Sequence, residues 1–216
     1  EFTHHAEVSL TDLTVRNNRS IDYGEYAGQG GSCIAIQDGV KATFKRLDLS
    51  GCREIGLDLM GQDAQAALED VVISGIRPRA CADQEEPEAQ DRCYDAMGNP
   101  IGIGIGMGVF AGAFVTGKRV WIHDNPYQAG LRLSRFPGTP PEGSLPFAGT
   151  VAIDGLRIEN NLFGVHLLDQ PEGYDFFREN SNLYILNNST MDVSTNQGED
   201  FSLLFQNLLL SIDPSF

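Results

Sequence analysis

A three-residue unit, apolar then any residue then apolar, returns along this chain at intervals that no helix satisfies. The copies that set the frame are Leu13-Thr14-Val15, Leu47-Asp48-Leu49, Val71-Val72-Ile73, Val120-Trp121-Ile122, Leu156-Arg157-Ile158, Leu183-Tyr184-Ile185 and Leu208-Leu209-Leu210. Two apolar residues around an outward one describe a strand with one buried face. An earlier triplet precedes most copies: Val8-Ser9-Leu10, Ala42-Thr43-Phe44, Ala66-Ala67-Leu68, Val115-Thr116-Gly117, Val151-Ala152-Ile153 and Leu203-Leu204-Phe205. Arg178-Glu179-Asn180 breaks that column and marks an irregular repeat. A later triplet, often introduced by glycine, follows: Ile34-Ala35-Ile36, Leu57-Asp58-Leu59, Ile103-Gly104-Ile105, Leu131-Arg132-Leu133, Val165-His166-Leu167 and, with a slip, Met191-Asp192-Val193.

Leu47 to Val71, Leu156 to Leu183 and Leu183 to Leu208 are 24, 27 and 25 residues apart. Three strands per period predict an all-β chain, a three-sided parallel solenoid of about seven coils that forms one domain over residues 1–216. A β-sandwich, the other fold such strands could build, needs tight hairpins between alternating strands. Insertions at 19–32, 77–100, 135–149 and 169–177 account for the longer spacings and are expected to be loops that build a binding surface.

Three residues past each framing triplet stand Asn18, Cys52, Ile76, Asn125, Asn161, Asn188 and Asp213. Asn tolerates a left-handed turn, and its amide can bond the same amide one coil away. Asn18, Asn125, Asn161 and Asn188 are therefore expected to form a buried hydrogen-bonded ladder.

The four cysteines, Cys33, Cys52, Cys81 and Cys93, include no C-x-x-C pair, which disfavours a zinc site and points to disulfides in an exported protein. Three pairings are open. A bridge between Cys33 and Cys52 would pin the first insertion, and one between Cys81 and Cys93 would close an acidic loop. The expected location is secreted, periplasmic or cell-surface.

A formal charge of -15 disfavours nucleic acid and anionic membranes as partners. The longest apolar stretches, 101–115 and 201–212, are glycine-broken or too short to insert in a bilayer. The first residues, Glu1 to His5, lack the basic and apolar regions of a signal peptide. No capping helix precedes Val8 and the last repeat stops at Asp213, so stacking on further coils or on another subunit is expected.

The pattern Leu-x-Ile-x-x-Asn followed by Gly-Val/Ile-x-Leu resembles the right-handed parallel β-helix of the pectate-lyase-like superfamily, from about Val8 to Asp213. In that family the ladder lies between the second and third sheets, which would make Val151-Ala152-Ile153 a first-sheet strand. The resemblance implies catalytic or calcium-binding residues on the outer face of the first sheet. The matching column is Ser9, Thr43, Ala67, Thr116, Ala152, Glu179 and Leu204, with a single carboxylate. The polygalacturonase motifs are missing, Arg157-Ile158-Glu159 being only a fragment of one, so no catalytic residue carries over.

Three constellations remain. Trp121, Arg157 and Tyr184 fall in one outward column on consecutive coils, a platform for a sugar ring or an Arg held between aromatics. Asp58, Arg132, His166 and Asp192 share the outward column of the third sheet; a carboxylate beside His166 could tune it for acid–base work, yet no nucleophile accompanies them and a surface ion-pair ladder explains them as well. Asp83, Glu85, Glu86, Glu88 and Asp91 are the one place where calcium could be held, although they lack EF-hand spacing and a solvated acidic loop is the simpler reading. Gly102 to Gly108 lacks the strand-turn-helix context of a dinucleotide site. No cofactor is expected. The expected role is binding or structural, with a polysaccharide or surface glycan the favoured ligand; the alternative is a polysaccharide lyase or glycoside hydrolase built on Asp58, Arg132 and His166.

Overall fold

A computed structural model describes residues 6–19, 30–37, 39–78, 104–135 and 147–195. Its elements run β1 (Ala6–Arg16), β2 (Ile34–Ile36), β3 (Val40–Ser50), β4 (Glu54–Met60), β5 (Gln65–Ser74), β6 (Gly104–Phe110), β7 (Phe114–His123), β8 (Ala129–Ser134), β9 (Thr150–Glu159), β10 (Phe163–Leu167), α1 (Phe176–Glu179), β11 (Tyr184–Leu186) and β12 (Met191–Thr195). Among the described residues the chain is all-β apart from that single helical turn. Odd-numbered strands build one six-stranded sheet in the order β1-β3-β5-β7-β9-β11, and even-numbered strands build another, β2 to β12. Every strand pair is parallel.

Two sheets stand where the triplets suggested three. The first and framing triplets belong to one continuous strand: Val8 and Leu13 both lie in β1, and their partners Ala42 and Leu47 both lie in β3. Between them each long strand turns at a residue of positive φ, namely Asp12, Arg46, Asp70, Arg119 and Gly155, with Asn182 in the same place before β11. A left-handed residue reverses the inside–outside alternation, so apolar side chains on both sides of the bend still face inward. Four of the five bend residues within the strands are charged, and they neutralise one another. Asp12 accepts from Arg46 at 2.5 and 2.8 Å, and Asp70 accepts from Arg119 at 2.6 and 2.9 Å. These hydrogen bonds hold both carboxyls below their usual range.

The core fills the space between the sheets with the inward residues of both. Leu49, Leu57, Ile73, Met107, Ile122, Leu131 and Ile158 are all fully buried. Burial of one such side chain stabilises by about 1.5–3 kcal/mol.

At the turn after each framing triplet, the left-handed residue is not the expected one. Asn17, Gly51, Gly75, Asp124, Asn160 and Asn187 carry the positive φ, one position before Asn18, Cys52, Ile76, Asn125, Asn161 and Asn188. That displacement frees the following side chain to point inward. Asn125 Nδ2 donates to Asn161 Oδ1 at 2.8 Å, Asn161 Nδ2 to Asn188 Oδ1 at 3.0 Å, and Asn188 Nδ2 to Asp192 at 2.7 Å. Asn18 takes no part: it is exposed and donates to the Ser32 carbonyl.

Each inward turn residue presses on the residue that introduces the preceding short strand. A Cβ on Gly130 would lie 2.7 Å from Asn161 Nδ2, one on Gly164 2.7 Å from Asn188 Nδ2, one on Gly106 3.0 Å from Asn125 Nδ2, and one on Gly56 3.1 Å from Ile76 Cδ1. Glycine is required there by close approach. In the first repeat the same contact is covalent, since Cys52 is disulfide-bonded to Cys33. Cys81 and Cys93 lie outside the described residues.

The glycine column also corrects two alignments. Leu57 and Leu131 pair with Met107, not with Ile103, so the inward triplet of β6 is Met107-Gly108-Val109. Gly106 meets the ladder amide. Ile105 instead joins Ile55 and Phe110 in a separate apolar cluster. In the last short strand Val165 pairs with Val193, which moves the triplet to Val193-Ser194-Thr195.

Candidate functional site

Strand register brings Trp121 (β7), Arg157 (β9) and Tyr184 (β11) into one row on the outer face of the long sheet. The Arg157 guanidinium lies 5.1 Å from the Trp121 ring centroid and 5.3 Å from that of Tyr184. Parallel strands are about 4.8 Å apart, so flat side chains on neighbouring strands stack along the sheet. Two residues further on, in the next outward row, Glu159 is only 7% exposed. Its carboxylate accepts from Trp121 Nε1 at 3.0 Å and from Arg157 at 2.9 Å. Both oxygens are thereby paired, which offsets the cost of burying the charge. His123 stacks on Trp121 with centroids 4.0 Å apart and an interplanar angle of 27°, and its Nδ1 lies 2.8 Å from Asp124.

The result is a strip of His123, Trp121, Arg157 and Tyr184 with the Glu159 carboxylate at the Nε1 edge of the indole. The rings face one another as much as solvent, so the strip is less open than a bare aromatic platform, although Trp121 keeps 37% of its surface exposed. Sequence reasoning passed over Glu159. The signal was its place two residues after Arg157, which in a strand is the next outward position.

The second row is Ala35, Asp58, Gly108, Arg132, His166 and Ser194, on the outer face of the short sheet. Ser194, not Asp192, stands beside His166, and Asp192 is engaged by Asn188. Burial, then the nearby Glu54, pushes the Asp58 carboxyl up to about 6. Burial, then the Arg132 charge, pushes His166 down to about 4. Burial also lowers the Arg132 pKa. Asp58 Oδ1 and His166 Nδ1 are buried and find no hydrogen-bond partner among the described residues. Gly108 stands between Asp58 and Arg132, placing that carboxylate two strand spacings, roughly 10 Å, from the cation. His166 is thus a neutral imidazole with no carboxylate beside it in its row.

A shallow depression of about 310 Å³ lies near the bend of the long sheet, lined by Thr43, Lys45, Ala67, Glu69, Gly117 and Lys118 among others. Both lysines are spent on Glu69, at 3.4 and 2.7 Å. Asp83, Glu85, Glu86, Glu88 and Asp91 lie outside the described residues. Among the described residues no group of three or more His, Cys, Asp or Glu side chains is placed to hold a metal, and no helix is long and apolar enough to cross a membrane. Comparison with protein-family models, with curated proteins and with solved structures gave no match.

Proposed function

We propose that this chain is an extracellular binding scaffold, a right-handed parallel β-helix that holds a glycan along the Trp121–Arg157–Tyr184 row. In this reading the bent long sheet supplies two faces and the short sheet the third. Support for the fold comes from the all-parallel pairing, the bend repeated at one position in successive rows, and the asparagine chain at the turn after it. The Cys33–Cys52 disulfide favours an oxidising compartment.

The ligand rests on one observation, the partly exposed indole locked between Arg157, His123 and Glu159. Arg157 is neutralised by Glu159, so the strip suits an uncharged sugar more than a strong anion. Sugar C–H groups would cover the exposed indole, and hydroxyls would take the remaining guanidinium N–H groups. Because the sequence has one tryptophan, intrinsic fluorescence reads this site alone. Titration with neutral oligosaccharides is expected to shift the emission, and Trp121→Ala to abolish binding on a glycan array. Silence of both across a broad panel overturns the glycan.

The enzymatic alternative draws support from the buried Asp58 carboxyl, whose Oδ1 has no partner among the described residues and whose raised pKa suits a general acid. Reducing-sugar and unsaturated-product assays over a polysaccharide panel, with and without calcium, test it. Activity that disappears in Asp58→Asn would favour it over the scaffold.

A further inference from the structure

β1 is an edge strand of the long sheet. Among the described residues nothing pairs with its free side. Its inward residues Val8 and Leu10 are each 39% exposed, whereas their β3 partners Ala42 and Phe44 are 4% and 2% exposed. Long apolar edges are usually blunted by proline, lysine or an inward charge. β1 contains no proline and no lysine, and its charged residues are Glu7, Asp12 and Arg16.

The sequence of this edge has an inverted symmetry. From its centre outward, Thr11 mirrors Asp12, Leu10 mirrors Leu13, Ser9 mirrors Thr14, Val8 mirrors Val15 and Glu7 mirrors Arg16. The bend at Asp12, which has φ 57°, sits at that centre and is what puts Leu10 and Leu13 both inward despite odd spacing.

We infer that β1 is the docking edge for a second copy of this chain, paired antiparallel about a two-fold axis between Thr11 and Asp12. In that register Leu10 meets Leu13 of the partner subunit and Val8 meets the partner's Val15, so the two apolar faces join into one. Ser9 faces the partner's Thr14. Glu7 faces the partner's Arg16, and since Asp48 of β3 already holds Arg16 within the chain, Glu7 would join an existing ion pair at each end of the contact. Bend lies against bend, so two strands of the same shape match along their full length. A two-fold contact uses one patch on both copies and closes at a dimer. A register shifted by one residue would set Asp12 against itself or apolar residues against polar ones.

Light scattering of the whole chain should give a dimer that dissociates on dilution. Leu10→Lys, which aims a charge inward at the edge, should make it monomeric while circular dichroism stays that of the parent. The register is read separately by cross-linking. Ser9→Cys mixed with Thr14→Cys should give a disulfide-linked dimer under mild oxidation, both chains in a Cys81→Ser/Cys93→Ser background, and neither variant alone should do so. Opposite residues in antiparallel strands have Cβ atoms about 4.5–5.5 Å apart, which allows the bond. A monomer at all concentrations, a dimer indifferent to Leu10→Lys, or cross-linking of Ser9→Cys with itself equal to that of the mixture overturns the inference. The fluorescence test of Trp121 is independent of all three readouts.

Discussion

The long sheet has two boundaries, and they are built differently. Beyond β9, β11 covers only Arg157 to Glu159, and among the described residues no strand covers Val151 to Ile153, yet the backbone there is occupied. Tyr174 Oη accepts from the Val151 N–H at 3.1 Å and donates to the Val151 carbonyl at 2.9 Å. Asn180 accepts from the Ile153 N–H at 2.9 Å and donates to the carbonyls of Val151 and Phe176. Two side chains on a loop and one helical turn thus imitate a strand. α1 is set by its N-cap Asp175, which accepts from the N–H groups of Phe177 and Arg178. At β1 nothing of the kind is present among the described residues. That end of the molecule is held internally by the Cys33–Cys52 bond, while the ladder of Asn125, Asn161 and Asn188 stabilises the other half. The Val151 to Ile153 edge is finished by polar side chains, whereas β1, among the described residues, is stapled from within and left able to receive a strand.

Removing the cap should turn the first boundary into a copy of the second. Asn180→Ala leaves the Ile153 N–H without its partner in a buried place, at about 1–3 kcal/mol, while the Val151 carbonyl loses one donor and keeps the Tyr174 hydroxyl. A loss of about 3 kcal/mol in chemical denaturation, the upper end for one such group, is expected, with fast hydrogen exchange spreading to Val151–Ile153. A loss below about 1 kcal/mol, less than one such group costs, would show that the cap does not hold this edge.

Opening the staple tests the second boundary. Cys33 and Cys52 are 19 residues apart, and a loop of that size restricts the unfolded chain by about 3 kcal/mol. A Cys33→Ser/Cys52→Ser double variant should lose that amount, with exchange rising in β1 and β2 first and β9 protected. Uniform loosening of both ends would break the contrast.

The smallest effect separates the halves by pH. Asp58 (β4) has a folded pKa of about 6, above its ordinary value. The folded state therefore binds a proton that the unfolded state has released, and stability falls as pH rises from about 4 to 6. His166 (β10) has a folded pKa of about 4, below its ordinary value. There the unfolded state takes the proton first, and stability falls as pH drops below about 6.5. The two slopes oppose each other in the same window. Asp58→Asn should raise stability at pH 7 by about 2 kcal/mol, since a tenfold change in proton affinity between the folded and unfolded states is worth about 1.4 kcal/mol, and leave a profile that climbs between about pH 4 and 6.5. His166→Gln should leave the reverse slope. Identical profiles for the two variants would place the pH dependence elsewhere.

Register of the long sheet was legible because its apolar residues alternate strictly: Val8, Ala42, Ala66, Val115 and Val151 align as the triplets do, and so do Leu13 to Leu156. The number of sheets was not. A break between two triplets reads as a turn, whereas one left-handed residue bends a strand without ending it, and Arg46 or Arg119 advertises no such conformation. The position of β6 was missed because Gly102, Gly104, Gly106 and Gly108 all offer the small residue that the ladder requires; only contact with Asn125 distinguishes them. At the candidate site Trp121, Arg157 and Tyr184 follow from period and alternation. Glu159 depended on knowing which outward neighbour turns back to the indole N–H.

The asparagine chain has a sense of direction. It begins at the backbone N–H of Ile76, which can only donate and gives its hydrogen to Asn125 Oδ1 at 2.9 Å. It ends on the Asp192 carboxylate, which accepts from Asn188. Between a pure donor and a pure acceptor, no single amide can flip without leaving two like groups face to face. The three side chains therefore share one orientation, with their dipoles aligned head to tail. A carboxylate on the last described strand thus sets the polarity of a row of amides reaching back to the third of the long strands.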